Sequence, residues 1–237
     1  MTWTLVTGAA KGLGSQISLS LAGSGRNVVV HYNASRKEAE NIVGKCRELG
    51  VKAEWIQGDF SSNEKAKDFI SRYLERFTET SVLINNVGNY LLKSATETDL
   101  QEWEQLLQTN LTFPFMLSNA LIPSLKKTRG HLINIGVNGI YNGRADTYAT
   151  AYSITKHGLW MLTKSLAKEL APHAVRVNMV SPGLMENAVD LEAILPLVPM
   201  KTATSLNEVA GLITFLLKPE NAHLTGQNIE VAGGLRL

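Results

Sequence analysis

Thr7-Gly8-Ala9-Ala10-Lys11-Gly12-Leu13-Gly14 follows a short apolar run, Trp3-Thr4-Leu5-Val6-Thr7, and opens an amphipathic segment, Gly12 to Gly23. Strand, glycine-rich turn and helix in that order form a phosphate cradle. Glycines let the backbone approach a pyrophosphate, and the free N–H groups of a helix N-terminus meet its charge. The spacing is GxxxGxG rather than GxGxxG, and the Gly-Lys-Ser/Thr ending of a P-loop is absent. An ordinary glycine-rich turn would satisfy the local pattern too; the strand before and the helix after favour a dinucleotide.

Outward from this stretch the same alternation continues. Strands are predicted at Asn27–His31, Lys52–Gln57, Val82–Asn85, His131–Ile135, Val175–Val180 and Gln227–Val231. Helices are predicted at Ser35–Leu49, with Ser35 as N-cap and Gly50 past the end, then Asn63–Phe77, Asp99–Lys127, Thr150–Leu170 and Asn207–Leu217. Pro114 predicts a kink or break in the long fourth helix. Repeated β-then-α order with right-handed crossovers predicts an α/β fold: a single doubly wound Rossmann-type domain, with a parallel sheet of about seven strands and helices on both faces. One domain is expected over 1–237, with a cofactor half at about 1–130 and a catalytic and lid part at about 131–237.

Composition bounds the rest. The chain has 237 residues, 44% hydrophobic, which is enough to bury a core without metal or disulfides. The net charge of +2 gives no support for nucleic-acid or membrane-surface binding. Cys46 is the only cysteine, the five histidines are scattered, and there is no HExxH, so no metal site is expected. No run of ~18 apolar residues and no secretion leader is read, so a cytoplasmic protein is expected.

The corner after the second strand reads His31-Tyr32-Asn33-Ala34-Ser35-Arg36-Lys37. The acid that would bond a ribose 2′-hydroxyl is missing from 31–35. Lys11, Arg36 and Lys37 bring positive charge there, and Asn33 and Ser35 bring hydrogen-bonding groups. A 2′-phosphate suits such a corner, so NADP(H) is the expected cofactor. Further on, Tyr152 and Lys156 stand at i and i+4, one face of a helix. An ammonium beside a phenol, together with the positive nicotinamide ring of an oxidised cofactor, favours the phenolate and makes tyrosine a usable acid–base group. Alone, YxxxK arises often by chance.

The ordered set of TGxxxGxG, Asn85-Asn86-Val87-Gly88, Asn110, YxxxK and Asn178-Met179-Val180-Ser181-Pro182-Gly183 resembles the short-chain dehydrogenase/reductase superfamily over essentially the whole chain. Within it the chain is similar to 3-oxoacyl-[acyl-carrier-protein] reductases and pteridine reductases. The resemblance implies that Gly8, Gly12 and Gly14 hold the pyrophosphate, with Ala10, Lys11 and Leu13 of the same loop also among the cofactor-binding residues. It implies Asp59 and Phe60 at the adenine and Asn86 and Gly88 beside the adenosine ribose. Asn110 would anchor a proton-relay water, Tyr152 would be the acid, and Lys156 would bind the nicotinamide ribose. Pro182, Gly183 and Leu184 would contact the nicotinamide. It also implies a homotetramer or homodimer, for which the apolar Gly233–Leu237 tail would suit a subunit contact as well as an ordinary packed terminus.

One departure stands out. The family's substrate-binding serine, thirteen residues before the tyrosine, is absent; Gly139 holds that place and no serine lies between Ile135 and Tyr152. Asn138 is the best substitute, since its amide can donate to a carbonyl, though Asn-Gly is also a common turn. Leu184 to Ser205 would form a lid with Leu191, Ile194, Leu195, Leu197, Val198 and Met200 as apolar lining, and Asn187 would meet the carboxamide. The expected substrate is a carbonyl compound, a 3-oxoacyl thioester first. A dihydropteridine, suggested by the His31-Tyr32 end of the second strand and the missing serine, and a weakly catalytic NADP-binding sensor or scaffold are the alternatives.

Overall fold

A computed structural model describes residues 1–236. Seven strands form one parallel sheet: β1 (Trp3–Val6), β2 (Val28–Tyr32), β3 (Ala53–Gln57), β4 (Thr80–Asn85), β5 (His131–Ile135), β6 (Arg176–Pro182) and β7 (Asn228–Val231). Their spatial order is β3-β2-β1-β4-β5-β6-β7. The order reverses between β1 and β4, and the crevice of an open α/β sheet lies at the carboxyl ends of the strands there. The sheet is continuous across residue 130, from β4 to β5 and on to β7.

Both faces are covered, which is why the strands read as apolar runs rather than alternating ones. Val6, Val30, Ile84 and Ile133 point to one face, packed by α1 (Gly12–Gly23), α2 (Arg36–Glu48) and α8 (Leu206–Leu216). Leu5, Val29, Leu83 and Leu132 point to the other, packed by α3 (Asn63–Arg76), α5 (Phe113–Thr128) and α6 (Thr150–Leu170). Leu117, Leu121 and Leu125 form a fully buried stripe on α5; each such side chain stabilises by roughly 1.5–3 kcal/mol over an exposed one. The expected fold class is met.

Three local expectations change. The break in the fourth helical region falls before Pro114, not at it. α4 (Leu100–Leu107) passes through a π-helical turn, Gln108–Thr112, into α5, and Pro114 sits in the first turn of α5. The π turn interrupts the regular i→i−4 ladder just before Pro114, so the missing N–H and the ring are accommodated there better than inside a regular α-helix. Ser35 occupies the N-cap position of α2 but makes no capping bond with its side chain. The lid segment folds into α7 (Leu191–Ile194) and a 3₁₀ turn, Leu195–Leu197, and Ser205 instead caps α8 in a reciprocal box with Glu208.

Candidate active site

The glycine loop leaves β1 at the sheet's reversal point. Gly8 and Gly12 have φ of +62° and +53°, the left-handed region that favours glycine. A Cβ on Gly14 would collide with the Gly8 carbonyl, and one on Gly8 would lie 2.9 Å from Val87 Cγ2. A side chain would fill this cradle, which therefore fits a pyrophosphate laid against bare backbone at the start of α1.

Three side chains hold the loop in place. Thr7 Oγ1 accepts from the backbone N–H groups of Asn86 (2.9 Å) and Val87 (3.1 Å), tying β1 to the end of β4. Asn86 donates from Nδ2 to the carbonyls of Thr7 (2.9 Å) and Gly8 (3.2 Å), so its amide braces the loop. The third clamp is His31. The Gly8 N–H donates to His31 Nδ1 (2.9 Å), and Nε2 lies 3.1 Å from the Gly58 carbonyl, which fixes the neutral tautomer with hydrogen on Nε2. The ring stacks on Phe60 at a centroid distance of 4.3 Å. Burial, aided by the Arg72 charge and opposed by the Gly58 hydrogen bond, pushes His31 down to about 4.

The corner after β2 carries exposed charged and polar groups. Lys11 pairs with Glu38 (2.8 Å), and Arg36 pairs with Glu40 (2.9 Å) while stacking over Trp55. These pairs are exposed, and exposed pairs are weak enough for a phosphate to redirect their cations. Asn33 is exposed and Ser35 half-buried, with its hydroxyl uncommitted to the cap. Asp59 pairs with Lys65 (2.7 Å) and accepts from the Ser61 N–H. The Phe60 side chain departs from the expected role: it is buried against His31 and Phe113, because an aromatic ring gains more in the core than at an exposed groove.

Beyond the loop lies a cavity of about 650 Å³. Its lining includes Leu13, Asn86 and Gly88, Tyr152 and Lys156 of α6, and Pro182, Gly183, Leu184 and Asn187. Ala10 is buried beside the loop and is not part of this lining. Lys156 Nζ donates to the Ile135 carbonyl (2.8 Å) and sits 5.6 Å from the centre of the Tyr152 ring. Burial pushes Lys156 down to about 8. Tyr152 lies edge-to-face with Tyr90, at 4.7 Å. Burial, then Tyr90, raises the Tyr152 phenol above its ordinary value, against the Arg236 charge. Burial thus favours the protonated phenol, the form that a proton donor needs.

The π turn presents Asn110. Its Nδ2 donates to the Asn89 carbonyl (3.0 Å) and to Thr155 Oγ1 (3.1 Å), while its Oδ1 accepts from the Asn89 N–H (2.8 Å). Fully buried, it clamps the loop after β4 against α6, one residue from Lys156. A Cβ on Gly88 would lie 3.3 Å from Lys156 Nζ and 3.6 Å from Asn110 Oδ1, so Gly88 keeps these two elements close.

Asn138 lines the cavity but is engaged elsewhere as well: its Nδ2 donates to the Leu235 carbonyl (2.9 Å). Of the expected lid residues, Ile194 and Leu197 line the cavity, and Val198 is buried instead. Thr7, His31, Tyr90 and Arg236 are site residues that the sequence reading did not place. The legible signal was His31, a histidine inside an otherwise apolar strand.

Comparison with known proteins agrees with this geometry. A family model described as short chain dehydrogenase matches residues 2–193. The 3-oxoacyl-[acyl-carrier-protein] reductase of Staphylococcus epidermidis is 34% identical over 98% of this chain and 97% of its own. A short chain dehydrogenase from Burkholderia cenocepacia in complex with NADP superposes with a TM-score of 0.91, at 25% identity over 100% of this chain and 98% of that one. The acetoin dehydrogenase of Salmonella typhimurium gives 0.90, at 27% identity over 99% and 97%.

Proposed function

We propose that this chain, which belongs to the short chain dehydrogenase family, is an NADPH-dependent carbonyl reductase acting on 3-oxoacyl thioesters. The observation that carries it is the convergence of Tyr152 and Lys156 on one cavity with the glycine-loop side of the crevice. When bound, NADPH supplies a hydride. Gly8, Gly12 and Gly14 would hold its pyrophosphate, Lys11 and Arg36 its 2′-phosphate, and Lys156 its nicotinamide ribose.

The remaining work falls to the protein's own groups. Tyr152, kept neutral by burial, donates its proton to the oxygen of the reduced carbonyl. Lys156 then faces a developing phenolate, and its charge limits the cost of that proton loss. Asn110 holds the Asn89 backbone and Thr155 in register, so the Tyr152 helix and the loop after β4 keep one spacing. The identity to a curated 3-oxoacyl-[acyl-carrier-protein] reductase over nearly the whole length supports the thioester.

The alternative of a dihydropteridine loses one support, because His31 and Tyr32 are buried and cannot face a ligand. NADPH absorbance followed against acetoacetyl thioesters, dihydrobiopterin and simple diketones, with NADH as control, tests the assignment. Oxidation by the thioester is expected. Oxidation by another carbonyl class alone moves the substrate, and tight NADPH binding with no turnover of any of them favours a sensor or scaffold. Tyr152→Phe should lower turnover roughly 100- to 10,000-fold while NADPH binding persists; retained turnover would refute the assigned acid.

A further inference from the structure

The loop that departs from the family's pattern walls a second cavity, of about 300 Å³. It shares Val137, Asn138, Asp146, Tyr148, Ser153 and Arg236 with the catalytic cavity, so the two spaces are neighbours. The titratable groups lining it are Arg144, Arg236, Asp146, Tyr148 and His157.

Asp146 is already committed. It accepts from the N–H groups of Tyr148 and Ala149, both at 2.9 Å, and from the Ser153 hydroxyl at 2.5 Å, and so caps the start of α6. The two guanidinium groups are not: among the described residues neither has a carboxylate within ion-pair distance. Arg236 is exposed, but its backbone is anchored. Its φ is +63°, a conformation that a non-glycine residue adopts only when its surroundings impose it. The Asn138 amide holds the Leu235 carbonyl, the Asn142 amide holds the Arg236 carbonyl, and a Cβ on Gly139 would lie 2.9 Å from Arg236 Cδ. The backbone that bears Arg236 is thus anchored at the boundary of the catalytic cavity, and among the described residues its guanidinium has no carboxylate partner. Guanidinium forks match carboxylate and phosphate oxygens.

We propose that the side cavity is an anion subsite, in which Arg236 and Arg144 bind a carboxylate or phosphate carried by the substrate away from its reacting carbonyl. The proposal rests on the reductase assignment and narrows it to anionic carbonyl substrates. The unusual loop then has a role of its own, because Asn138 and Asn142 secure the segment that bears Arg236.

Two matched pairs test it with NADPH as co-substrate. Acetoacetyl-4′-phosphopantetheine against acetoacetyl-pantetheine isolates a phosphate; a 4-oxo carboxylic acid against its methyl ester isolates a carboxylate. The expected result is a kcat/KM ratio of roughly ten or more for the anionic member of one pair. That ratio should fall about tenfold in Arg236→Gln, fall also in Arg144→Gln, and partly return in Arg236→Lys. The pair that responds identifies the anion. A wild-type ratio near one for both pairs, or a ratio unchanged in both glutamine variants, overturns the proposal. Failure of every substrate to turn over sinks the reductase assignment alone. The subsite is then decided by saturation-transfer NMR of the same four compounds on the NADP⁺-loaded protein. Preference for an anionic member, lost in Arg236→Gln, upholds it; equal binding overturns it.

Discussion

His31→Gln should flatten the acid limb of the stability curve. The neutral His31 ring accepts the Gly8 N–H, and burial pushes its pKa down to about 4 from an ordinary 6.5. The folded value lies below the unfolded one. As pH falls through 6.5 the unfolded chain takes up a proton that the folded chain refuses, and stability declines until the folded group also titrates near 4. With those two values the loss is about 2 kcal/mol at pH 5 and about 3 kcal/mol at pH 4, measured from neutral pH. His131 is pushed down to about 3 by burial and by Arg176 and Arg26, so its contribution has the same sign and the wild-type curve contains both. The variant separates them. Urea unfolding followed by tryptophan fluorescence, at one protein concentration and a series of pH values, should show the wild type losing about 3 kcal/mol more than His31→Gln between neutral pH and pH 4. Glutamine can accept and donate at one end, so the variant keeps a partner for Gly8. Parallel curves for the two proteins would refute both the depressed pKa and the role of the ring as a loop clamp.

Two further outcomes follow from the site. Arg36→Ala should weaken NADPH roughly tenfold more than NADH in fluorescence titrations, since only NADPH presents the 2′-phosphate; an equal loss for both cofactors would remove Arg36 from that role. Lys156 holds its charge only below about 8, so kcat/KM should fall as pH rises through that value; a profile flat for about two pH units above it would show that the ammonium is not needed.

The fold was readable because each strand carries apolar residues for two faces and each helix carries one buried stripe, and both are local periodicities. Val28, Val29 and Val30 announce a doubly covered strand without any knowledge of what covers it. The glycine loop and the Tyr152–Lys156 pair were readable for the same reason, being short-range spacings. What was hidden depends on distant partners. The Asn138 amide meets Leu235 ninety-seven positions away, and no local pattern announces that Arg236 will stand beside Tyr152. Phe60 was misplaced because its position after β3 gives no measure of how deeply its ring packs.

The π turn at Gln108–Thr112 makes chain length itself a functional quantity. An α-helix advances about 100° per residue, and a π turn absorbs one residue beyond that period. Deleting a single residue from this turn would restore a regular helix while altering no chemistry by name. It would leave α4 and α5 in register but close the widened turn that presents Asn110 to Asn89 and Thr155. Among relatives of this chain, an alignment gap at this turn would therefore mark a change in the site more surely than many substitutions within it.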